Sequence, residues 1–346
     1  MSAKVPSVDF SLDFPFAYGP PVLGALLKSE NQHFIVHEQL GFVPGGEGEH
    51  LYLHVESDGD NTQWVAEQLA IGLEVRVVDI GFCGLKDRNA ITRQWFSVYD
   101  PKSDVQTKLD LALERLPGSR LLEVTRGQSK LRRGQHTGNA FVITLLLDAG
   151  DEAEVQSVLE RRLSCIREGG VPNYFGLQRF GRNGNNLPAF QQWLERAQEE
   201  KPVAKKGRSK RKPRGIILSA ARSYLFNCIL AERVSAQNWC CLVEGDVAIQ
   251  GVPAGPLWGR GRSAAQLQAS DIEVQTLLPL RQWADALEHL GLNQERRAFV
   301  STPKNLQWRI AGGALTLSFE LPPGEYATGV LREICLCREP NRHPEL

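Results

Sequence analysis

Asp87 is the residue whose setting most suggests chemistry. It stands in Gly81-Phe-Cys-Gly-Leu-Lys-Asp-Arg-Asn-Ala90, between Lys86 and Arg88, with glycines at 81 and 84. Such a loop can present one carboxylate beside a bound polyanion. The flanking cations offset charge repulsion and help keep the acid ionised for attack or proton transfer. The same spacing also suits an acid that caps a turn or pairs with Lys86 or Arg88. Those two cations can themselves face phosphate or stabilise the loop. The run is not a P-loop, because it lacks the glycine spacing and the Lys-Ser/Thr ending.

Other segments carry chemistry that fits a nucleic-acid partner. Lys28 is either a surface charge, a phosphate contact or a group that orients the acid. Arg126, Lys130, Arg132 and Arg133 precede His136, and His136-Thr-Gly-Asn-Ala-Phe141 follows. Asn139 can close a turn or hold the polar edge of a base, and Phe141 can enter the core or stack on one. Pro172 to Gly181 offers Asn173, Gln178 and Arg179 among three aromatics, as an aromatic knot or as a contact surface. Ser219 to Asn227 puts Arg222 on an expected helix with Ser219 as its N-cap. Residues 201–214 hold eight lysines or arginines and no acid, a phosphate-contacting or merely solubilising stretch.

Composition narrows the alternatives. Basic and acidic residues balance at 40 each, so any anion-binding surface must come from uneven distribution. Seven irregularly spaced cysteines suit a reducing, cytoplasmic compartment rather than a disulfide framework. Neither a secretory signal nor a membrane-spanning stretch is expected. Cys240-Cys241, Cys335-Leu-Cys337 and the histidines at 33, 37, 50 and 54 make no coherent metal set. No glycine signature calls for a dinucleotide, and no serine–histidine–acid arrangement points to a hydrolase. No cofactor or metal is expected, and no obligate protein partner is evident.

The positioning elements follow from periodicity and breakers. Strands are expected over 32–40, 50–56, 75–82, 91–99, 121–125 and 140–147. Helices are expected from Thr62 as N-cap to a stop at Gly72, and over 109–116, 152–168, 189–198, 219–237 and 280–290. Residues 306–310 and 314–321 should pair across Ala311-Gly312-Gly313. After Pro322-Pro323-Gly324, β-like patterning over 326–336 is expected to help close a sheet begun in the N-terminal half. The first 20 residues are either an ordered arm or a tail.

Taken together and in order, the 81–90, 136–141, 170–181 and 219–227 segments resemble the TruD family of transfer-RNA pseudouridine synthases, in its bacterial form. The ordered matches run from Lys28 to Arg332. The resemblance implies isomerisation of uridine to pseudouridine in transfer RNA, at position 13. It implies an α+β fold: a pseudouridine-synthase catalytic core with a mixed, mainly antiparallel sheet over 1–169 and 301–346, and an inserted α/β TRUD domain over 170–300. By the same analogy Asp87 is the essential carboxylate, and Lys28, Asn139, Phe141, Tyr326 and Arg332 surround its pocket. Arg332 would partner the acid. Tyr326 stands where the bacterial pattern often has phenylalanine. Lys86, Arg88, Arg132, Arg133, His136, Asn173, Gln178, Arg179 and Arg222 are the expected RNA contacts. A noncatalytic RNA-binding or RNA-folding protein is the reading of a different class, which product formation would separate.

Overall fold

The computed structural model describes residues 10–101, 105–199, 213 and 215–340. The basic 201–214 stretch therefore lies, apart from Pro213, outside the described residues. The chain forms two compact units. One comprises residues 21–167, 303–327 and 334–346; the other comprises 1–20, 168–302 and 328–333.

The larger unit is built on one mixed sheet. Across it lie the strands Lys304–Ala311, Ala314–Leu321, Gly138–Leu147, Phe34–Gln39, Ile91–Tyr99, His50–Asp58 and Ser119–Gly127. Neighbours are antiparallel except Phe34–Gln39 beside Ile91–Tyr99. The short strand Gly24–Leu26 runs parallel to Leu336–Arg338 at the margin. Alternation decides what each face buries. Leu51, Leu53, Val55, Phe96 and Val98 turn inward against Val65, Ala66 and Leu69 of the helix Thr62–Gly72. Gly72 does more than end that helix. A Cβ there would lie 2.3 Å from the Cα of Ala112, so its absence lets the helix touch Leu109–Glu114.

The smaller unit is centred on the helix Gly215–Ser235, whose middle is almost wholly buried. Helices Asn186–Glu199, Leu267–Leu277 and Arg281–Glu288 accompany it. The strands Val247–Ile249, Val252–Leu257 and Glu295–Ala298 form an antiparallel sheet. Arg222 is spent on this unit's backbone. Its guanidinium donates to the carbonyls of Leu257, Trp258 and Asn293 at 2.7–2.8 Å. The N-terminal residues from Phe10 to Tyr18 are an ordered arm. Phe10 packs on Tyr224 and Trp283, Phe14 stacks on Tyr174 at 5.2 Å, and the Tyr18 hydroxyl donates to the Gly170 carbonyl. Arg332 donates to the carbonyls of Phe14 and Pro15, while Glu333 accepts from the Ala17 amide.

Four local expectations are corrected. Residues 327–334 form a helix, and only Leu336–Arg338 is extended. Pro322-Pro323-Gly324 breaks the preceding strand, and the apolar Val330, Leu331 and Ile334 then bury one helical face rather than alternating. The expected strand 75–82 shrinks to Gly81–Phe82, because Val77–Asp79 makes a 3-10 turn. Asn61, not Thr62, caps its helix, accepting from the Trp64 amide at 2.9 Å. The helix expected from Ser219 already begins at Gly215, so Ser219 lies inside it and accepts from Arg179 instead. Among the described residues, no helix is long and apolar enough to cross a membrane.

Two stability outcomes follow. Phe14→Ala removes the stacked ring of the arm and should cost about 1–3 kcal/mol, read as a lower urea midpoint. Arg222→Lys cannot span three carbonyls with one ammonium. It should cost about 2–3 kcal/mol while leaving RNA affinity within error. A normal midpoint with weakened RNA binding would return Arg222 to an RNA-contact role.

Candidate active site

Asp87 sits in the loop between Gly81–Phe82 and the strand Ile91–Tyr99. Its carboxylate is 45% exposed and is salt-bridged by the Lys28 ammonium, whose side chain is only 7% exposed. Lys28 follows the strand Gly24–Leu26 in a left-handed conformation, φ 55°. That conformation is uncommon for a residue with a side chain and points to a local constraint. Just before it, the Leu27 amide donates to the Arg338 carbonyl at 2.9 Å. The ammonium also lies 4.7 Å from the Phe34 ring centroid and 3.4 Å from Glu339 Oε1.

The wall beside Lys28 is aromatic. Phe34, Phe141 and Phe319 lie on three adjacent strands in one face, in the registers Val36↔Phe141 and Phe319↔Phe141. Phe141 is edge-on to Phe34 at 6.2 Å and stacked on Phe319 at 5.4 Å. It is 8% exposed, so it is mainly a wall that supports Phe34 rather than a free stacking surface. Two residues along the same strand, Asn139 lies opposite Glu38 and Leu321. The Asn139 amide oxygen is buried without a hydrogen-bond partner among the described residues. A buried orphan acceptor is costly, and a ligand N–H is one way to satisfy it. Tyr326 stands half-buried just before the helix Ala327–Ile334.

The remaining candidates divide by what they touch. Arg88, Arg132, Arg133 and Gln178 are exposed. Arg133 lies over the Phe82 ring, and Arg179 is half-buried against Phe175 and Ser219. His136 is half-buried with its Nδ1 unpartnered among the described residues, and burial followed by the Lys86 charge holds its pKa below the usual value. Three expected RNA contacts are corrected. Lys86 is 5% exposed at its side chain and pairs with the wholly buried Glu38 carboxylate at 2.6 Å. Asn173 is 4% exposed, donates to the Ala298 carbonyl and accepts from Arg297. Arg222 holds the three carbonyls described above. Arg332, expected as a partner of Asp87, grips the N-terminal arm within the smaller unit and lies 4.3 Å from the Phe16 ring centroid.

Sequence reasoning missed Glu38, Gln94 and Glu339. Glu38 had a visible signal. It continues the inward alternation of Phe34 and Val36, so it is an acid at a core position and requires a partner. No group of three histidine, cysteine or acidic residues among the described residues could hold a metal. Burial pushes the thiols of Cys83, Cys228, Cys335 and Cys337 up to about 12, which keeps them protonated. A groove of the smaller unit beside Trp258, Leu277, Leu278 and Arg281 contains none of the candidate residues.

Comparison with known proteins gives this arrangement a family. The family model described as tRNA pseudouridine synthase D (TruD) matches residues 15–189. A protein of Cellvibrio japonicus named tRNA pseudouridine synthase D is 46% identical over 328 residues, 94% of each chain. Proteins of the same name from Nitrosococcus oceani and Aeromonas hydrophila are 39% and 38% identical over at least 94% of each chain. The crystal structure of the putative tRNA pseudouridine synthase D (TruD) from Methanosarcina mazei shares the fold, with a TM-score of 0.71 over 96% of this chain and 98% of that one, at 22% identity. A loop acid held by a buried lysine, on a mixed sheet of this topology, is thus carried by a chain that belongs to the tRNA pseudouridine synthase D (TruD) family.

Proposed function

We propose that this protein isomerises uridine 13 of transfer RNA to pseudouridine, with Asp87 as the essential carboxylate. Membership of the family supports conversion of uridine to pseudouridine in transfer RNA. The observation that carries the residue assignment is the exposed Asp87 carboxylate backed by the buried Lys28 ammonium. The proposed catalytic domain spans 1–169 and 301–346 and the proposed inserted domain 170–300; the larger compact unit lies within the first but leaves 1–20 and 328–333 to the smaller unit. The cytoplasm, where thiols stay reduced, is the proposed compartment.

The reaction breaks the bond from uracil N1 to the sugar and makes one from C5, while the proton on C5 is lost and N1 gains one. Nothing is oxidised or reduced, so the chemistry needs no external donor. The target base must leave its stack before any of this happens. Asp87 can then attack the nucleotide or remove a proton from the sugar, and both routes need an ionised carboxylate. Lys28 sets a positive charge against it from the protein side. The orphaned Asn139 amide oxygen can accept from a uracil N–H, and the Phe34–Phe141–Phe319 row keeps that side of the pocket dry. Tyr326 adds a ring with a hydroxyl to the proposed pocket. Arg88, Arg132, Arg133, His136, Gln178 and Arg179 are the proposed RNA contacts.

Purified protein incubated with unmodified transfer RNA should yield pseudouridine at position 13. Asp87→Asn should lower the single-turnover rate by about a thousand-fold or more without loss of folding. Well-folded wild type that makes no product on several transfer RNAs would defeat the enzymatic reading. An equally active Asp87→Asn would defeat the residue assignment.

The basic 201–214 stretch supports a second outcome. Replacing Lys205, Lys206, Arg208, Lys210, Arg211 and Lys212 with glutamine should weaken RNA binding. It should also flatten the salt dependence by about 0.7–0.9 log units per lost phosphate contact. Binding that stays unchanged across a salt series would leave the stretch a solubilising one.

A further inference from the structure

The acid loop is held by a buried polar network whose members are not among the candidate pocket residues. Three elements reach it: the strand Phe34–Gln39 through Glu38, the first residue of the helix Thr62–Gly72, and the strand Ile91–Tyr99 through Gln94. Glu38 Oε1 accepts from Lys86 Nζ at 2.6 Å, and Glu38 Oε2 accepts from the Trp95 amide at 3.3 Å. Gln94 Nε2 donates to the Gly84 carbonyl at 2.6 Å and lies 3.4 Å from Glu38 Oε1. The Thr62 hydroxyl donates to Gln94 Oε1 and accepts from the Lys86 amide, each at 2.8 Å. Thr62, Gln94 and Glu38 are all at least 94% buried.

These bonds converge on residues 84–86, immediately before Asp87. They fix a backbone carbonyl, a backbone amide and a side-chain cation of the loop. Behind it, the Gly134 amide donates to the Cys83 carbonyl at 2.8 Å. A Cβ on Gly84 would be a tight fit, 3.0 Å from Lys86 Nζ and 3.4 Å from His136 Cε1, so those side chains would have to give way. Beyond the acid, the Asn89 amide donates to Asp87 Oδ1 at 3.3 Å. A buried lysine–glutamate pair is an inefficient source of stability, because desolvation offsets most of its attraction. Its value lies in the single geometry that satisfies all members at once.

We propose that Glu38, Gln94 and Thr62 are positioning residues that set the height and direction of Asp87, acting through residues 84–86. The proposal rests on the reading of Asp87 as the catalytic acid. The Asp87 carboxylate is 45% exposed and meets Lys28 and the Asn89 amide at its tip, while the backbone that carries it is fixed through residues 84–86. Misplacing a reacting group by about 1 Å can cost on the order of a hundred-fold in rate. The network should therefore act on turnover and leave transfer-RNA affinity alone.

The test compares two changes at the same helix end. Thr62→Val removes the hydroxyl that holds the loop and keeps the side chain's shape. Asn61→Ala removes the N-cap that holds only the helix. Steady-state kcat and KM for pseudouridine formation on transfer RNA are measured for both, with Thr62→Ser and Asp87→Asn alongside. Thr62→Val should lower kcat by about ten-fold to a hundred-fold with KM within about two-fold. Thr62→Ser should restore most of kcat, and Asn61→Ala should keep it within about two-fold despite a lower melting temperature. Equal losses in Thr62→Val and Asn61→Ala, or none in Thr62→Val, overturn the positioning role. Should Thr62→Val fail to fold, Gln94→Met removes the same bridge from the strand side and carries the same expectation. An active Asp87→Asn would instead overturn the underlying assignment, whatever the Thr62 result.

Discussion

In the proposed function, an acid must be held in place while it faces a polyanion. The Lys28–Asp87 ion pair is the interaction on which that proposal depends. The asymmetry of the pair matters. Lys28 is buried and Asp87 is half-exposed, so the cation acts from the protein side and leaves the open face of the acid free for substrate. Two exposed partners would be weakened by water and salt. Glu339, within 3.4 Å of the same ammonium, gives the lysine a second carboxylate partner.

The sheet brings the two partners together from distant parts of the chain. Lys28 leaves a marginal strand that is paired on one side to Leu336–Arg338 and on the other to the Gly138–Leu147 strand. Asp87 leaves a loop that enters the sheet at Ile91, beside Ile35. A one-residue slip in either pairing would turn inward-facing groups to the other side. The aromatic row of Phe34, Phe141 and Phe319 packs across three neighbouring strands in the observed register. Positioning the acid is thus a property of the sheet's register as much as of the loop.

The parts of this arrangement with a local cause were legible in the sequence. Alternating runs located most of the strands, and the Ala311-Gly312-Gly313 hairpin appeared as expected. Asp87 and Lys28 were both singled out as candidates, though spacing alone left each with an ordinary alternative. What the sequence concealed depends on contacts between distant segments. Asn61 and Thr62 are adjacent, and either can cap a helix. Only the loop and Gln94 arriving nearby decide that Thr62 turns to them. Lys86, Asn173 and Arg222 look like surface groups until the carbonyls and carboxylates that absorb them are in place. The helix Ala327–Ile334 was misread as β-like because a short apolar run bounded by glycine and proline fits both periods.

The central claim is that the extruded uridine meets Asp87 where Lys28 and the aromatic wall hold it. A structure of the Asp87→Asn protein with bound transfer RNA tests this most directly. The account predicts uridine 13 turned out of its stack, with its ribose within about 3.5 Å of the residue 87 side chain and a uracil N–H on the Asn139 amide oxygen. Bound transfer RNA whose extruded uridine lies away from residue 87, or which leaves every base stacked, would contradict it.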